Sequence, residues 1–349
     1  MSNKFCPYPF QNIEICGDYV YLCCPEWNNY NSIGNLTKDT LVNIWNCEKA
    51  MAIREKILDN DFFYCDMKKC SYATQKGFEK LLIDVKDCKP KMEIFPKIIK
   101  LGYDNECDIA CNICRDEIFV NDEKTNQLYD SYIDTKYLPM LKDSDIVAIN
   151  TLGDAFGSRH SRKLIKRISE TYENIKFDFQ TNGLMCTEEM LKELNVYSKI
   201  YNMRVSLHAT SKKTYGKVVK NGEKLFNKIT DNLYTLKEIK KKYPFEFNIQ
   251  MVVSACNYKE MADFVDFVKL FDGEPSFWEY KPINTGLINM DNCMRNYIAS
   301  PEHPEHKNFL KVLTDKRFDE IHPGRLSPLF YELRQRELQK KKKSFWHFW

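Results

Sequence analysis

Three cysteines stand close together in the stretch NECDIACNICRDE, which begins at residue 105. Cys107, Cys111 and Cys114 are separated by three and two residues, so one loop can bring their thiols to a single centre. A 4Fe-4S cluster needs one outside ligand for each iron, and cysteine thiolates normally supply all of them. Three thiols therefore leave one iron open to another molecule. The alternative is a zinc site that takes its fourth ligand from Asp108 or a distant cysteine.

Alternating strands and helices are predicted around this motif. The helical segments each have one apolar face, as with Leu225, Ile229 and Leu233. Strands that alternate with helices imply a parallel sheet, and the cysteine motif would start just past the carboxyl end of the first strand. The six predicted strands are short apolar or alternating runs at residues 98–103, 146–152, 175–180, 203–208, 245–253 and 276–283.

The predicted strands alternate apolar and polar residues. The run FEFNIQM, for example, places Asn248 and Gln250 opposite its apolar side chains. Strands of ordinary parallel sheets are apolar on both faces. The alternation therefore predicts a curved sheet with helices outside and a polar concave face. An antiparallel sheet with one solvated face is the alternative.

The composition is that of an ordinary globular protein. Of 349 residues, 43% are hydrophobic and 29% are charged, and the net charge of +3 does not by itself indicate a nucleic-acid partner. The N-terminus lacks the apolar run of a signal peptide, and no run is long enough to span a membrane, so we expect a cytoplasmic protein. Thiols stay reduced in that compartment, and the fourteen cysteines are therefore expected to be metal ligands or redox groups rather than disulfides.

The cysteines are unevenly distributed. Eight of the fourteen precede residue 90, and only three follow Cys114. This asymmetry predicts a small cysteine-rich module before a large domain, with the border in the segment KGFEKLLIDVKDCKPKMEIFP. The predicted division is a module at 1–90, a large domain at 91–300 and a helical, aromatic tail at 301–349.

The spacing Cys107-x3-Cys111-x2-Cys114 after a first strand resembles the cluster motif of the radical S-adenosylmethionine (SAM) superfamily. The resemblance covers residues 95–290 and implies an α/β fold with a partial (β/α)6 TIM-like barrel. It also implies that the amino and carboxylate groups of SAM chelate the open iron of a 4Fe-4S cluster. Reductive cleavage of SAM would then give a 5′-deoxyadenosyl radical that abstracts a hydrogen atom from a substrate.

Shorter segments extend the resemblance at the ends of later strands. TLGDAF is similar to the Gly-Gly-Glu-Pro-like segment that holds the methionine amino group, although Leu152 replaces the first glycine and the acid is Asp. QTNG resembles a frequent Thr-Asn-Gly turn, and it is equally typical of a plain turn. RVSLHAT is similar to strands whose serine contacts the cofactor. The cofactor-binding residues that the resemblance implies are Ile113, Gly153, Asp154, Asn182, Arg204, Ser206 and His208.

The N-terminal segments FCPYPF, GDYVYLCC, SIGNLTKDTLVNIWN and CDMKKC resemble a twitch or SPASM-like domain. Such a domain usually follows the barrel and carries an auxiliary 4Fe-4S cluster. The resemblance implies Cys6, Cys23, Cys65 and Cys70 as the ligands of one auxiliary cluster, with Cys24 almost equal to Cys23 as the second ligand. A zinc ribbon is the alternative for this module.

A fully ligated auxiliary cluster can accept an electron from a substrate radical. The sequence therefore favours a dehydrogenase-type oxidoreductase that acts on a polar small molecule such as a sugar, an alcohol or an amino acid, with flavodoxin or ferredoxin as reductant. Radical epimerisation is an alternative that needs a thiol hydrogen donor, and Cys256 and Cys293 are the candidates for it. Peptide maturation and a non-enzymatic iron-sulfur or zinc scaffold also stay open.

Overall fold

The computed structural model describes residues 4–70, 73, 83–84, 88–149, 152–281 and 286–346. The chain divides into two compact units. The first comprises Met1–Glu106, Val120–Gln180 and Leu191–Tyr201, and the second comprises Cys107–Phe119, Thr181–Met190 and Asn202–Trp349.

The first unit holds the N-terminal strands and the first three strands predicted for the large domain. Its strands are β1 (Lys4–Phe5), β2 (Asn12–Cys16), β3 (Tyr19–Tyr21), β4 (Gly34–Asn35), β5 (Ile83–Asp84), β6 (Ile98–Gly102), β7 (Ile146–Ile149) and β8 (Lys176–Thr181, whose last residue belongs to the second unit).

The helices of the first unit begin at side-chain caps that sequence rules anticipate. Asp122 and Ser158 each accept a hydrogen bond from a backbone N–H in the first turn of the helix that follows. The helices are α1 (Tyr8–Gln11), α2 (Leu41–Trp45), α3 (Glu48–Leu58), α4 (Glu123–Tyr132) and α5 (Arg159–Thr171), with a π-helix at Ile133–Tyr137 and a 3-10 helix at Leu138–Asp143. The short helix α6 (Glu188–Glu193) is divided between the two units.

The strands of the first unit form one sheet in the order β8-β7-β6-β2-β3-β4, beside a separate antiparallel pair of β1 and β5. Strands β8, β7, β6 and β2 are parallel to one another, whereas β3 pairs antiparallel with both β2 and β4. Strand β2 of the cysteine-rich segment thus pairs directly with β6, Ile13 lying opposite Ile99. The two compact units do not divide at the predicted border near residue 90. Strands β2 and β6, which lie on opposite sides of that border in the sequence, pair in one sheet. The three-part domain division stays a prediction.

The second unit contains the last three predicted strands and the C-terminal helices. The strands are β9 (Ile200–Ser206, whose first two residues belong to the first unit), β10 (Glu246–Val253) and β11 (Glu274–Glu279). The helices are α7 (Lys212–Val218), α8 (Phe226–Lys242), α9 (Met261–Lys269), α10 (Met290–Asn296), α11 (His306–Leu313) and α12 (Pro328–Trp346), with 3-10 helices at Gly222–Lys224, Tyr258–Glu260, Lys316–Glu320 and Pro323–Arg325.

Strand β10 is parallel to both β9 and β11, so the antiparallel alternative is wrong. All six predicted strands are present, and the α/β class with mostly parallel strands is confirmed. The barrel itself stays a prediction. The amides Asn248 and Gln250 of β10 are buried rather than open to solvent: Asn248 donates to Asn202 Oδ1 over 2.8 Å, and Gln250 donates to Ser206 Oγ over 3.0 Å. A hydrogen bond to a neighbouring strand offsets part of the cost of burying such a side chain.

The predicted C-terminal tail is mostly helical where the structure describes it. Leu326 forms a parallel bridge with Phe277 of β11, and Ser327 donates its backbone N–H to the carbonyl of the same residue. These contacts cover part of the outer edge of β11, which would otherwise present unpaired backbone groups. The aromatic residues Phe348 and Trp349 lie outside the described residues. In the described part of the chain, no helix is long and apolar enough to cross a membrane.

A buried carboxylate fixes the chain just after β6. Asp104 is 1% exposed, and it accepts hydrogen bonds from the Glu106 backbone N–H at 3.0 Å and from Asn121 Nδ2 at 2.9 Å. Its second oxygen accepts from the hydroxyls of Ser158 and Ser161 at the start of α5. Bonds to a buried charge are the stronger kind. Asp104 therefore ties the end of β6, the segment before α4 and the N-terminus of α5 together.

We expect Asp104→Ala to lower the free energy of unfolding by about 3 kcal/mol, because several buried donors lose their acceptor. Denaturant unfolding monitored by circular dichroism measures the change. Asp145→Ala is the matched control, since the Asp145 side chain is 69% exposed and its one ion pair within the described residues, with Lys97, has a length of 3.8 Å. We expect the control to change stability by less than about 0.5 kcal/mol. Equal losses in the two variants would contradict the role of Asp104.

Candidate functional site

The three-cysteine loop is held by backbone hydrogen bonds on both sides. At its base, the Cys107 N–H donates to the Phe119 carbonyl over 3.0 Å. In its middle, Cys111 forms an antiparallel bridge with Val219, and the Asn112 N–H donates to the Val218 carbonyl over 2.8 Å. A loop without regular secondary structure keeps one conformation when such bonds fix it. The spacing of the three thiols is therefore set by the fold and not by the loop alone.

A buried guanidinium lies among the three thiols. Arg115 is 3% exposed, and its Nη2 lies 3.6 Å from the Cys114 sulfur. Burial lowers the pKa of Arg115, but the thiolates of Cys114, Cys107 and Cys111 outweigh burial and raise that pKa overall. A nearby positive charge favours the thiolate, which is the form that binds a metal centre. Three thiols beside one buried cation fit an anionic iron-sulfur cluster.

Asn182 contacts the base of this loop. Its Nδ2 donates to Asp108 Oδ1 over 2.7 Å and lies 3.8 Å from the Cys107 sulfur, while its Oδ1 accepts from the Leu184 N–H. The next residue, Gly183, has φ +85°, and a Cβ there would lie 3.0 Å from a Val205 methyl group. The turn that was predicted at QTNG is thus present, and it directs the Asn182 amide at the cysteine loop. An N–H near a ligating sulfur is one of the contacts that tune cluster potentials.

Gly153 and Asp154 lie beside the residues that precede the loop. A Cβ on Gly153 would come within 2.5 Å of the Glu106 carbonyl oxygen, so only glycine allows this approach. The Asp154 N–H donates to the same carbonyl over 3.0 Å, and its Oδ1 accepts from the N–H groups of Phe156 and Gly157. In this structure the Asp154 carboxylate therefore caps its own turn. Binding of a methionine amino group by Asp154 stays a prediction.

The residues predicted at the end of β9 occupy different environments. Ser206 is partly buried and accepts from Gln250, and Arg204 is partly buried. His208 is buried with φ +64°, and its Nδ1 accepts from the Val252 N–H over 3.1 Å. Burial lowers the pKa of His208 to about 4, so the ring is neutral. By accepting this hydrogen bond, His208 supports the backbone of β10. Its contact with a cofactor stays a prediction.

The two candidate hydrogen donors differ in their access to the loop. The Asn112 amide donates to the Cys256 sulfur over 3.5 Å, and the Cys256 thiol donates to Asn296 Oδ1 over 3.3 Å. Cys293 is fully buried with Tyr280, and Ile113 packs against this pair. Cys256 is thus one hydrogen bond away from the cysteine loop, whereas Cys293 belongs to an apolar cluster. Ile113 contacts that cluster as well as standing between two of the three cysteines.

The predicted auxiliary ligands lie near one another in the first unit. Burial raises the pKa of Cys65 to about 12, with further contributions from the thiolates of Cys6 and Cys70. Burial also raises the pKa of Cys23 well above its usual value, and Cys6, Cys24 and Cys70 add to the effect. Such mutual electrostatic effects arise only between close thiols. Four thiols in one region fit the donor set of a fully ligated cluster.

Cys24 has a different environment from Cys23. After burial, the largest effect on its pKa, which is raised to about 11, comes from the carboxylate of Glu14. Its sulfur also accepts hydrogen bonds from the backbone N–H groups of Glu26 and Trp27. The two adjacent thiols therefore have different surroundings. Within the described residues, no three His, Cys, Asp or Glu side chains are close enough together to hold a single metal ion.

Several residues of the site were not singled out from the sequence. Asn112 stands inside the motif, but its partners Cys256 and Asn296 lie far along the chain. Arg115 directly follows the last cysteine of the motif and lies beside its sulfur. Glu106 immediately precedes Cys107 and accepts from the backbone of Asn121 and Arg159, which fixes the approach to the loop. The only signal in the sequence was the density of polar residues around the cysteines.

A comparison with protein-family models agrees with the N-terminal motifs. Residues 6–71 match the family model "SPASM: Iron-sulfur cluster-binding domain". No curated protein sequence matches the chain. Among solved structures, the chain is similar to Streptococcus suis SuiB bound to its precursor peptide SuiA, with 14% identity over 75% of this chain and 60% of SuiB at a TM-score of 0.39.

Two further structures have comparable similarity. The maturase HydG of the FeFe-hydrogenase from Carboxydothermus hydrogenoformans is 14% identical over 79% of this chain and 59% of HydG, at a TM-score of 0.37. The radical SAM methyltransferase TsrM from Kitasatospora setae is 11% identical over 56% of this chain and 40% of TsrM, at 0.36. The chain thus spans only 40% to 60% of the length of these proteins. The SPASM match confirms the predicted SPASM-like iron-sulfur domain near the N-terminus.

Proposed function

We propose that the chain is a radical SAM enzyme whose open 4Fe-4S cluster is held by Cys107, Cys111 and Cys114. The observation that carries the proposal is the loop itself: three thiols at fixed spacing lie beside the buried cation Arg115. When bound, the cluster and SAM would supply a 5′-deoxyadenosyl radical that abstracts hydrogen from a substrate.

The protein's own groups would hold and orient these partners. The Arg115 guanidinium offsets the charge of the three thiolates and so lowers the cost of keeping them together in a partly buried site. The Asn182 amide restrains Asp108 and approaches the Cys107 sulfur. Asn112 links the loop to Cys256. Each of these three side chains has a hydrogen-bond partner in the structure, which favours a precise arrangement.

Iron content tests this assignment directly. We expect about eight irons in the anaerobically reconstituted protein and about four in the Cys107→Ala/Cys111→Ala/Cys114→Ala variant, since each cluster of this type holds four. Iron and acid-labile sulfide assays measure the change. The same substitution at Cys186 and Cys293, which are both buried, provides the control and should leave the iron content unchanged. An unchanged iron content in the triple variant would refute the assignment.

For the first unit, we propose an auxiliary 4Fe-4S cluster on Cys6, Cys23, Cys65 and Cys70. The mutual effects of these thiols on their pKa values support the set. The environment of Cys24, beside Glu14 and two backbone N–H groups, favours Cys23 as the second ligand. With its four irons ligated, this cluster cannot bind SAM, and electron transfer is the role left to it.

Paired variants at adjacent positions separate the two candidate ligands. We expect Cys23→Ala to lose the auxiliary cluster and retain about four irons, because one iron of the auxiliary set loses its ligand. We expect Cys24→Ala to retain about eight irons, with an electron paramagnetic resonance spectrum of two reduced clusters. The converse pattern would assign Cys24 as the ligand, and loss of iron in neither variant would argue against the proposed set.

We propose oxidation of a polar small substrate as the reaction, since an auxiliary cluster can take up the electron that a substrate radical must lose. The second candidate is epimerisation, and one observation favours it. The Cys256 thiol is bonded to Asn112 inside the cysteine loop, at a position from which a thiol could return a hydrogen atom. Peptide maturation and a non-enzymatic scaffold are further alternatives, and a scaffold would form no 5′-deoxyadenosine from SAM and reductant.

Turnover in heavy water distinguishes the two reactions. The test uses any polar substrate that supports 5′-deoxyadenosine formation. Oxidation leaves no solvent deuterium in the product, because the substrate radical loses a proton and an electron and no hydrogen atom is added back to it. Mass spectrometry of the product is the measurement. Incorporation of one deuterium per turnover that disappears in Cys256→Ala, but not in Cys293→Ala, would establish epimerisation instead.

A further inference from the structure

We propose that one lysine-rich surface of the second unit docks an acidic flavodoxin, which delivers the electron to the cluster of Cys107, Cys111 and Cys114. The inference rests on the proposed function and specifies where its reductant binds. We call this the lysine surface, and it consists of Lys212, Lys213, Lys217, Lys220, Lys224 and Lys228.

The segment that carries these lysines is compact because its three helical elements pack together. Helix α7, the 3-10 helix at Gly222–Lys224 and the start of α8 are joined by the rings of Tyr215 and Phe226, whose centroids lie 5.7 Å apart. A Cβ on Gly216 would lie 2.5 Å from Glu223 Cγ, which shows how closely these elements approach. The apolar side of the segment is buried, and all six lysines are exposed.

The positive charge of this surface is largely uncompensated. Glu223 is the only acid in residues 212–228. Among the described residues, the one ion pair found for these lysines joins Lys220 to Glu117 over 3.8 Å, with side chains 62% and 83% exposed. Elsewhere in the same unit, Lys241 and Lys269 have carboxylate partners at 2.7 and 2.6 Å. A cluster of exposed like charges raises the local potential and attracts a partner of opposite sign.

The same segment is bonded to the cysteine loop. The Lys220 N–H donates to the Ala110 carbonyl over 2.9 Å, and Val219 bridges Cys111. Electron transfer slows steeply with distance, so an electron donor must bind close to the cluster. A donor on the lysine surface would contact the segment that is hydrogen-bonded to the cysteine loop. This adjacency favours an electron donor over an acidic peptide as the partner.

The chemistry of a reduced flavodoxin fits this surface. Electron-transfer complexes are small and short-lived, and charge complementarity sets their association rates. In the proposed step one electron leaves the flavin hydroquinone of the donor and enters the oxidised cluster, and no covalent bond of this chain forms or breaks. The lysines would bind the donor without contacting SAM or substrate.

The test compares two double charge reversals with the same change in net charge. Lys213→Glu/Lys224→Glu alters the lysine surface, while Lys241→Glu/Lys242→Glu alters two exposed lysines at the far end of α8. That end is about 20 Å along the helix axis from Lys228, beyond the Debye length of about 10 Å at 0.1 M salt, which is the low ionic strength of the test. Holoenzyme, reconstituted anaerobically, is titrated with oxidised flavodoxin by calorimetry at low and high ionic strength.

We expect the dissociation constant of the Lys213/Lys224 variant to rise about tenfold at low ionic strength, with a smaller effect at high salt. The Lys241/Lys242 variant should change by less than about twofold. 5′-Deoxyadenosine formation should fall in the Lys213/Lys224 variant when reduced flavodoxin is the donor and stay at the wild-type rate when dithionite is the donor.

The other outcomes separate the two proposals. Equal dissociation constants in the wild type and the Lys213/Lys224 variant would overturn docking on the lysine surface. Loss of activity with dithionite as well, at an unchanged dissociation constant, would assign these lysines to substrate or peptide binding and also overturn it. Absence of 5′-deoxyadenosine from wild type with dithionite would overturn the proposed function, and the reductant role would fall with it.

Discussion

The candidate site depends on the backbone hydrogen bonds that hold residues 107–119. This segment contains three cysteines and no helix or strand beyond single bridges, so its conformation is imposed from outside. The bond between Cys107 and Phe119 closes its base, and the pairing with Val218 and Val219 fixes its middle. Unsatisfied backbone groups would otherwise compete for other partners or for water. These few bonds give the thiols a constant separation, which a multinuclear centre needs.

The polar groups around the loop serve the same end by electrostatic means. Three thiolates repel one another, and Arg115 offsets that repulsion from a position where water screens it little. Before the loop, Asp104 and Glu106 hold the chain by accepting hydrogen bonds from α5 and the segment that precedes α4. Buried carboxylates of this kind are retained because many donors satisfy them. The loop is thus supported at its entry, its base and its middle by separate interactions.

The two groups of cysteines differ in ways that match their proposed roles. Cys114 is exposed, as a centre that binds a small molecule requires, whereas Cys23 and Cys65 are partly buried and burial raises the pKa of both thiols. Burial of an electron-transfer centre protects it from water and adjusts its potential. The SPASM match over residues 6–71 covers this second group and none of the first. A cluster with one open iron and a fully ligated cluster would then both be held by cysteines, in different surroundings.

The sequence by itself determined the strands, the parallel α/β class and the three-cysteine motif. These features are local, because the alternation of residues such as Phe247 and Asn248 follows from the geometry of a single strand. The same reasoning could not choose between Cys23 and Cys24, since adjacent residues differ only in the direction that the surrounding fold gives them. It also missed the pairing of β2 with β6, which depends on contacts across more than eighty residues of sequence.

Only the tertiary structure decided which polar groups meet the cysteine loop. The contacts of Asn182 with Asp108 and of Asn112 with Cys256 join segments that are far apart in the chain. No periodicity encodes such pairs, because each depends on how several elements pack at once. The lysines of residues 212–228 are visible as a basic run in the sequence. Their position beside the loop is a property of the folded chain, since it arises from the bridge between Cys111 and Val219.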